Sequence, residues 1–393
     1  IIGRLTIIMA RISMRLGRYL LGRYLSMPQH AVLKSYGCNF CMIKRGFLSR
    51  KKYNIALAFD IDGVLKRGDK VLPGAQDTLR MLQKENIPHI FLTNGGGCTQ
   101  KDFARNLSKL LDVEIQPAQV VLSHTPMREL GGGSGGGAAG AADEGGVPPP
   151  PSGVGVGGGG PAGPYADRPV LVLGRGARRI AAEDLGLRKP VTVEEVAAAH
   201  PGIYPWREVA ATPPDYLREE GVAAALIFHD PTDWHLDIQV LCDVLKHGSA
   251  RPDETSAAAV RGNGQAVPLF VSNPDFTYSA DWPRPRLAQG AFTEALAHLY
   301  GRLHGEPLEY RQYGKPTLVQ YRYAARALAA QAAALGLSSS PTAAVMVGDN
   351  PAADVRGANA AQAAALEEHR RRRQEGEAPK AEGAAAAAGA AAA

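Results

Sequence analysis

Acidic residues are missing from the first 52 positions, which hold eleven Lys and Arg but no Asp or Glu. With Arg11, Arg15 and Arg18 spaced by four and three, this stretch reads as a basic amphipathic helix. Its composition is that of a mitochondrial transit segment, with a generic basic tail as the alternative. The chain opens on Ile1, not Met, so its true N-terminus is expected further upstream. Cysteine is scarce: Cys38, Cys41, Cys98 and Cys242 are all there are. That scarcity argues against a disulfide-stapled scaffold, fits a reducing compartment, and leaves the Cys38–Cys41 pair without partners for zinc. No apolar run is long enough to span a bilayer. The formal charge of +6 also fails to reach the body of the chain. With the first 52 residues and the charge-balanced last 33 set aside, residues 53–360 carry −5, which argues against a nucleic-acid surface. Gly131–Pro164, nearly all Gly, Ala and Pro, lacks the apolar content to order itself, and the Ala-rich tail after Ala361, with its Arg370–Arg373 run, reads as a frayed helix without chemistry.

What is present centres on Asn54–Leu65. Ile55–Phe59 is a short, wholly apolar run, as expected of a strand buried on both faces of a parallel sheet. Asp60, Asp62 and Gly63 follow it directly. A strand that ends in acids delivers them to the carboxyl edge of a sheet, where open α/β folds bind ligands. Residues i and i+2 of an extended segment point the same way, so both carboxylates are expected to face one pocket. There they can bind a hard divalent cation or divide nucleophilic and acid/base work. A calcium loop is set aside, because Val64 stands where a further oxygen ligand is needed.

Three more loops repeat this pattern. The strand Ile87–Leu92 ends in Thr93, Asn94 and Gly95–Gly97, a hydroxyl and an amide beside exposed backbone N–H groups that suit an anion. Thr99 and Asp102 then start a helix with Phe103, Leu107 and Leu110 expected inward. Lys315 stands between Gly314 and Pro316 at the entry to a helix whose Leu318, Tyr321 and Leu328 are expected inward, placed for a phosphate oxygen. The strand Ala343–Val347 runs into Gly348-Asp349, with Asp354 on the next turn. Between the second and third loops, Val170–Leu173, Ala223–Phe228 and Pro268–Ser272 read as strands of a second α/β unit. His229–Trp234 closes one of them as a polar, aromatic cluster able to line a pocket, and Trp234 is equally suited to a core.

The ordered set resembles the four motifs of the haloacid dehalogenase (HAD) superfamily: Asp60-x-Asp62-Gly63, Thr93-Asn94, Gly314-Lys315-Pro316 and Gly348-Asp349-x4-Asp354. The unit between the second and third motifs resembles a class IIA cap, and the likeness covers about residues 53–360. It implies an α/β fold: a Rossmann-like core with a mainly parallel sheet and an inserted α/β cap. The expected order is a targeting segment (1–52), core (53–125), cap (126–290, interrupted at 131–164), core again (291–360) and tail (361–393). It implies a phosphatase in which Asp60 is the nucleophile and Asp62 the acid/base. Mg²⁺ would be held by the Asp60 carboxylate, the Asp62 main-chain carbonyl and Asp349. Thr93, Asn94, Gly95 and Lys315 would bind phosphate, and Asp354 would orient Lys315 or water. Relatives continue past the fourth motif into a closing strand, where this chain turns Ala-rich. The expected ligand is a small phosphorylated metabolite, by analogy one linked to glycerophospholipid metabolism. The expected location is the mitochondrial matrix, with the cytoplasm as the alternative. The competing functional reading is a catalytically idle scaffold or metabolite sensor.

Overall fold

The computed structural model describes residues 55–132, 163–248, 264–280 and 282–374. The basic segment 1–52 with Cys38 and Cys41, nearly all of Gly131–Pro164, and the tail after Gln374 lie outside the described residues. The chain divides into two compact units. The first comprises the chain up to Thr93, Phe103–Val121, and everything from Lys315 on; the second comprises Asn94–Asp102 and Leu122–Gly314.

The first unit is built on four parallel strands in the order Ala343–Val347, Ile55–Phe59, His89–Leu92, Val120–Val121. Ile55–Phe59 is buried along its whole length because it has a strand on each side and helices packed against it. Ala56, Ala58, Ile90, Leu92 and Met346 form one face of the core with Tyr321, Ala324 and Leu328 of the helix Leu318–Ala334. The helix Ala75–Lys84 buries Ala75, Leu79 and Leu82, the i, i+4, i+7 stripe its sequence predicts. Fully burying each of those leucines stabilises the fold by roughly 1.5–3 kcal/mol. The helix Gln100–Leu111 turns Ala104, Leu107 and Leu111 inward; Phe103 and Leu110 are only half-buried. After Ala343–Val347 the chain forms a wide turn, Pro351–Val355, then the helix Arg356–Gln374. Among the described residues no closing strand follows.

The second unit has five parallel strands, ordered Tyr310–Gln312, Leu269–Val271, Ala224–Ile227, Pro169–Leu173, Lys189–Val191. It runs to Gly314, beyond the expected boundary at 290, because Tyr310–Gln312 pairs with Leu269–Val271. Its core gathers Val240, Leu241, Val244 and Leu245 of the helix Trp234–His247 against Phe292, Leu296 and Tyr300. Trp234 packs edge-on to Phe292, with ring centroids 5.4 Å apart, as a half-buried flank of that core.

Candidate active site

Register places the reactive groups of the first unit. Phe59 lies opposite both Val347 and Phe91, so the strands end together and release Asp60, Thr93 and Asp349 at one carboxyl rim. The Asp60 amide still pairs with the Val347 carbonyl (2.8 Å), which ties the backbone of the first acid to the sheet. Thr93 is buried there, its own amide donating to Val121 O at 3.1 Å.

Lys315 joins the separate loops. Its side chain is 3 % exposed, and Nζ lies 2.6 Å from Asp60 Oδ1 and 2.7 Å from Asp354 Oδ1. The other oxygen of Asp354 accepts the Asn350 amide at 3.0 Å. Asn350 Oδ1 in turn accepts the amides of Ala352 (3.0 Å) and Ala353 (3.2 Å), capping the turn that carries Asp354. The Tyr321 hydroxyl is shared between the carbonyls of Ala353 (3.0 Å) and Asp354 (2.9 Å). Asp354 is therefore held by its side chain and its main chain, and its Oδ1 accepts a bond from Lys315.

The charges respond to burial. Loss of water pushes the Asp60 carboxyl up to about 6, while the Lys315 ammonium pulls it down. For Lys315, burial works against the charge, yet the attraction of Asp60 and Asp354 prevails and the net shift is upward. Asp349 is raised too, first by burial and then by Asp354, although its exposure to solvent limits that effect.

Gly63 explains the position of Asp349. Its φ is +84°, and a Cβ added to it would fall 2.0 Å from Asp349 Oδ2. The glycine of the first motif thus makes room for the acid of the fourth.

Asp62 departs from expectation. Its carboxylate is 63 % exposed and pairs with Lys66, four residues further on. The alternation that would aim it beside Asp60 applies to extended chain, but a turn begins at once, with Leu65 and Lys66 both donating to Ile61 O. Three other carboxylates, Asp60, Asp349 and Asp354, each bring an oxygen within 4.8 Å of the others. Three hard oxygens this close suit a small divalent cation. Asn94 and Gly95 fall in the second unit, where Asn94 Nδ2 donates to Asp275 Oδ2 at 3.2 Å. Sequence reasoning missed Asn350 and the Tyr321 hydroxyl. The Asn-Pro pair after Asp349 is a readable cap signal, whereas Tyr321 reads only as an inward apolar position.

A family profile described as haloacid dehalogenase-like hydrolase matches residues 57–144, and a second, HAD-hydrolase-like, matches 312–377. A mitochondrial hydrolase of Saccharomyces cerevisiae is 31 % identical over 343 residues, covering 81 % of this chain and 87 % of the yeast protein. A cardiolipin synthase (CMP-forming)/mitochondrial hydrolase fusion protein of Schizosaccharomyces pombe is 31 % identical over 314 residues, covering 78 % of this chain and 47 % of that protein. Among solved structures, a possible sugar phosphatase of the HAD superfamily from Cytophaga hutchinsonii shares the fold. Its TM-score is 0.50 at 18 % identity, over 80 % of this chain and 84 % of that one. The α/β architecture, the rim of acids around a buried lysine and the yeast relative agree: this chain belongs to the haloacid dehalogenase-like hydrolases. It is an enzyme of that class. Among the described residues no helix is long and apolar enough to cross a membrane.

Proposed function

We propose that the chain hydrolyses phosphate monoesters of a small metabolite through an aspartyl-phosphate on Asp60. The observation that carries this reading is the buried Lys315 held between Asp60 and Asp354. A lysine kept charged next to an acid is a ready clamp for a phosphate oxygen. An Asp60 oxygen attacks phosphorus, and the bond to the leaving oxygen breaks as Asp62, turned inward from its surface pair with Lys66, supplies its proton. Water then attacks phosphorus and gives its proton to Asp62; the bond to Asp60 breaks, releasing inorganic phosphate and restoring both acids. Thr93 and Lys315 hold the remaining oxygens. Asp354 orients Lys315, keeping its ammonium aimed at the reacting group, or orients metal-bound water.

Asp60, Asp349 and the main-chain carbonyl of Asp62 would hold Mg²⁺, and Asp354 lies close enough to adjust that set. The cation supplies positive charge where an anionic nucleophile must meet an anionic ester. The basic segment 1–52 and the mitochondrial relatives support a mitochondrial location, with the matrix as the compartment. The fusion with a cardiolipin synthase in fission yeast supports a substrate from glycerophospholipid metabolism. The test is phosphate release from a generic aryl phosphate with added Mg²⁺, followed by a screen of phosphorylated metabolites. Asp60→Asn should abolish release, and turnover that survives this change would overturn the nucleophile.

A further inference from the structure

The helix Gln289–His304 of the second unit is apolar on more than its core side. Phe292, Leu296 and Tyr300 are buried in the core of that unit. Beside them runs a second row, Ala295, Leu299 and Leu303, spaced by four residues and so aligned along one side of the helix. Ala295 is half-buried, whereas Leu299 is 47 % and Leu303 60 % exposed. Of the large apolar side chains exposed among the described residues, these two are the only ones on a helix. A surface helix ordinarily turns polar residues outward, as Ala75–Lys84 does with Asp77, Arg80 and Lys84. An apolar row left in water marks a contact surface.

The adjacent row is polar and carries both signs: Glu294, His298 and Arg302, again spaced by four and all exposed. Glu294 and Arg302 lie about 12 Å apart along the axis, too far to pair with each other on one helix. Neither enters an ion pair or a hydrogen bond among the described residues.

When two copies of this helix pack antiparallel about a two-fold axis, each row meets itself reversed. Glu294 then faces Arg302 of the second copy, and Arg302 faces its Glu294, so one contact makes two ion pairs. In the apolar row Leu299 meets its own counterpart near the axis, and Ala295 meets Leu303, small against large. Parallel packing would instead set Glu294 against Glu294 and Arg302 against Arg302.

We propose that this face of Gln289–His304 docks a second copy of the chain, giving a two-fold dimer through antiparallel helices. The charge pattern selects the occupant, because a row that reads acid to base along a helix is complementary to its own reverse. A nucleic acid or an anionic membrane calls for basic residues alone, and Glu294 opposes both. The area sets the strength. Sixteen residues make a helix about 24 Å long and about 10 Å wide, a footprint well under the roughly 800 Å² per partner of a standard interface. The dimer is therefore weak and reversible, forming in the micromolar range.

Sedimentation velocity on the full chain, from about 1 to about 100 μM, reads the outcome. The parent should pass from monomer to dimer across that range. Leu299→Glu sets two acids face to face at the axis and should keep the chain monomeric throughout. Glu294→Arg and Arg302→Glu each turn both ion pairs into like-charge pairs, and each should weaken the dimer about tenfold or more. Mixed in equal amounts, these two single variants are complementary again, so the mixture should recover the association that each has lost. All three positions are exposed, and a urea midpoint equal to the parent's shows that each variant folds. A parent that stays monomeric at about 100 μM overturns the proposal. So does a dimer that Leu299→Glu leaves intact, which places the contact on another surface. A mixture of the two charge variants that associates no better than either alone overturns the antiparallel pairing and the proposal with it.

Discussion

Lys315 Nζ and Asp60 Oδ1, 255 positions apart in sequence, lie 2.6 Å apart with almost no access to water. A pair this deep stabilises through completeness rather than attraction alone, because Asp354 accepts a second bond from the same ammonium. Replacing Lys315 by Met would leave two buried acids with no counter-charge. The expected result is a loss of about 3–5 kcal/mol in urea unfolding at pH 8. The loss should shrink toward pH 4, where the stranded acids can take up protons. Phosphate release should be lost at every pH.

Asp60 must be ionised to attack, and burial holds its carboxyl up to about 6. On its acidic side kcat/KM should therefore climb with pH through a limb near 6. A divalent cation beside Asp60 favours its charged form. Raising Mg²⁺ at fixed substrate should accordingly move the limb to lower pH. A limb that stays put across a hundredfold range of Mg²⁺ would count against Asp60 as a cation ligand.

At Gly63 two constraints coincide: a left-handed backbone and an Asp349 oxygen where a side chain would begin. Gly63→Ala should therefore cost about 1–3 kcal/mol in strain and displacement. Its effect on turnover should be larger than its effect on folding, since the atom it displaces belongs to a proposed cation ligand. Measured at saturating Mg²⁺, kcat should recover in part if Asp349 serves to bind the cation.

How far the sequence foretells this structure depends on what each residue signals locally. Ile55–Phe59 and Ala343–Val347 are apolar at every position, and both strands appear with the expected bounds. Tyr310–Gln312 reads Tyr-Arg-Gln and sits at the edge of its sheet, so no apolar run announces it. That one strand moved the end of the second unit from 290 to 314. At the site, the strand-end acids and the lysine were legible because a short motif marks each. The orientation of Asp62 was not, since it depends on a turn whose bonds to Ile61 O leave no trace in residue type.

Asp237 offers a test of pH-dependent stability in the second unit. It lies in the first turn of the helix Trp234–His247 and is buried, which together with Glu194 and Asp233 pushes its carboxyl up to about 7. The unfolded chain releases that proton near 4. Between about 4 and 7 the folded state therefore binds more protons than the unfolded one, and stability falls as pH rises through that window. Above 7 both states are ionised and the penalty is constant. Asp237→Asn removes the charge at nearly equal volume. It should be more stable than the parent at pH 8 by about 2 kcal/mol, less than the full shift because the helix N-terminus favours the carboxylate. At pH 4 the two proteins should unfold at the same urea concentration. Equal midpoints at both pH values would show that the Asp237 carboxyl titrates as it does in water.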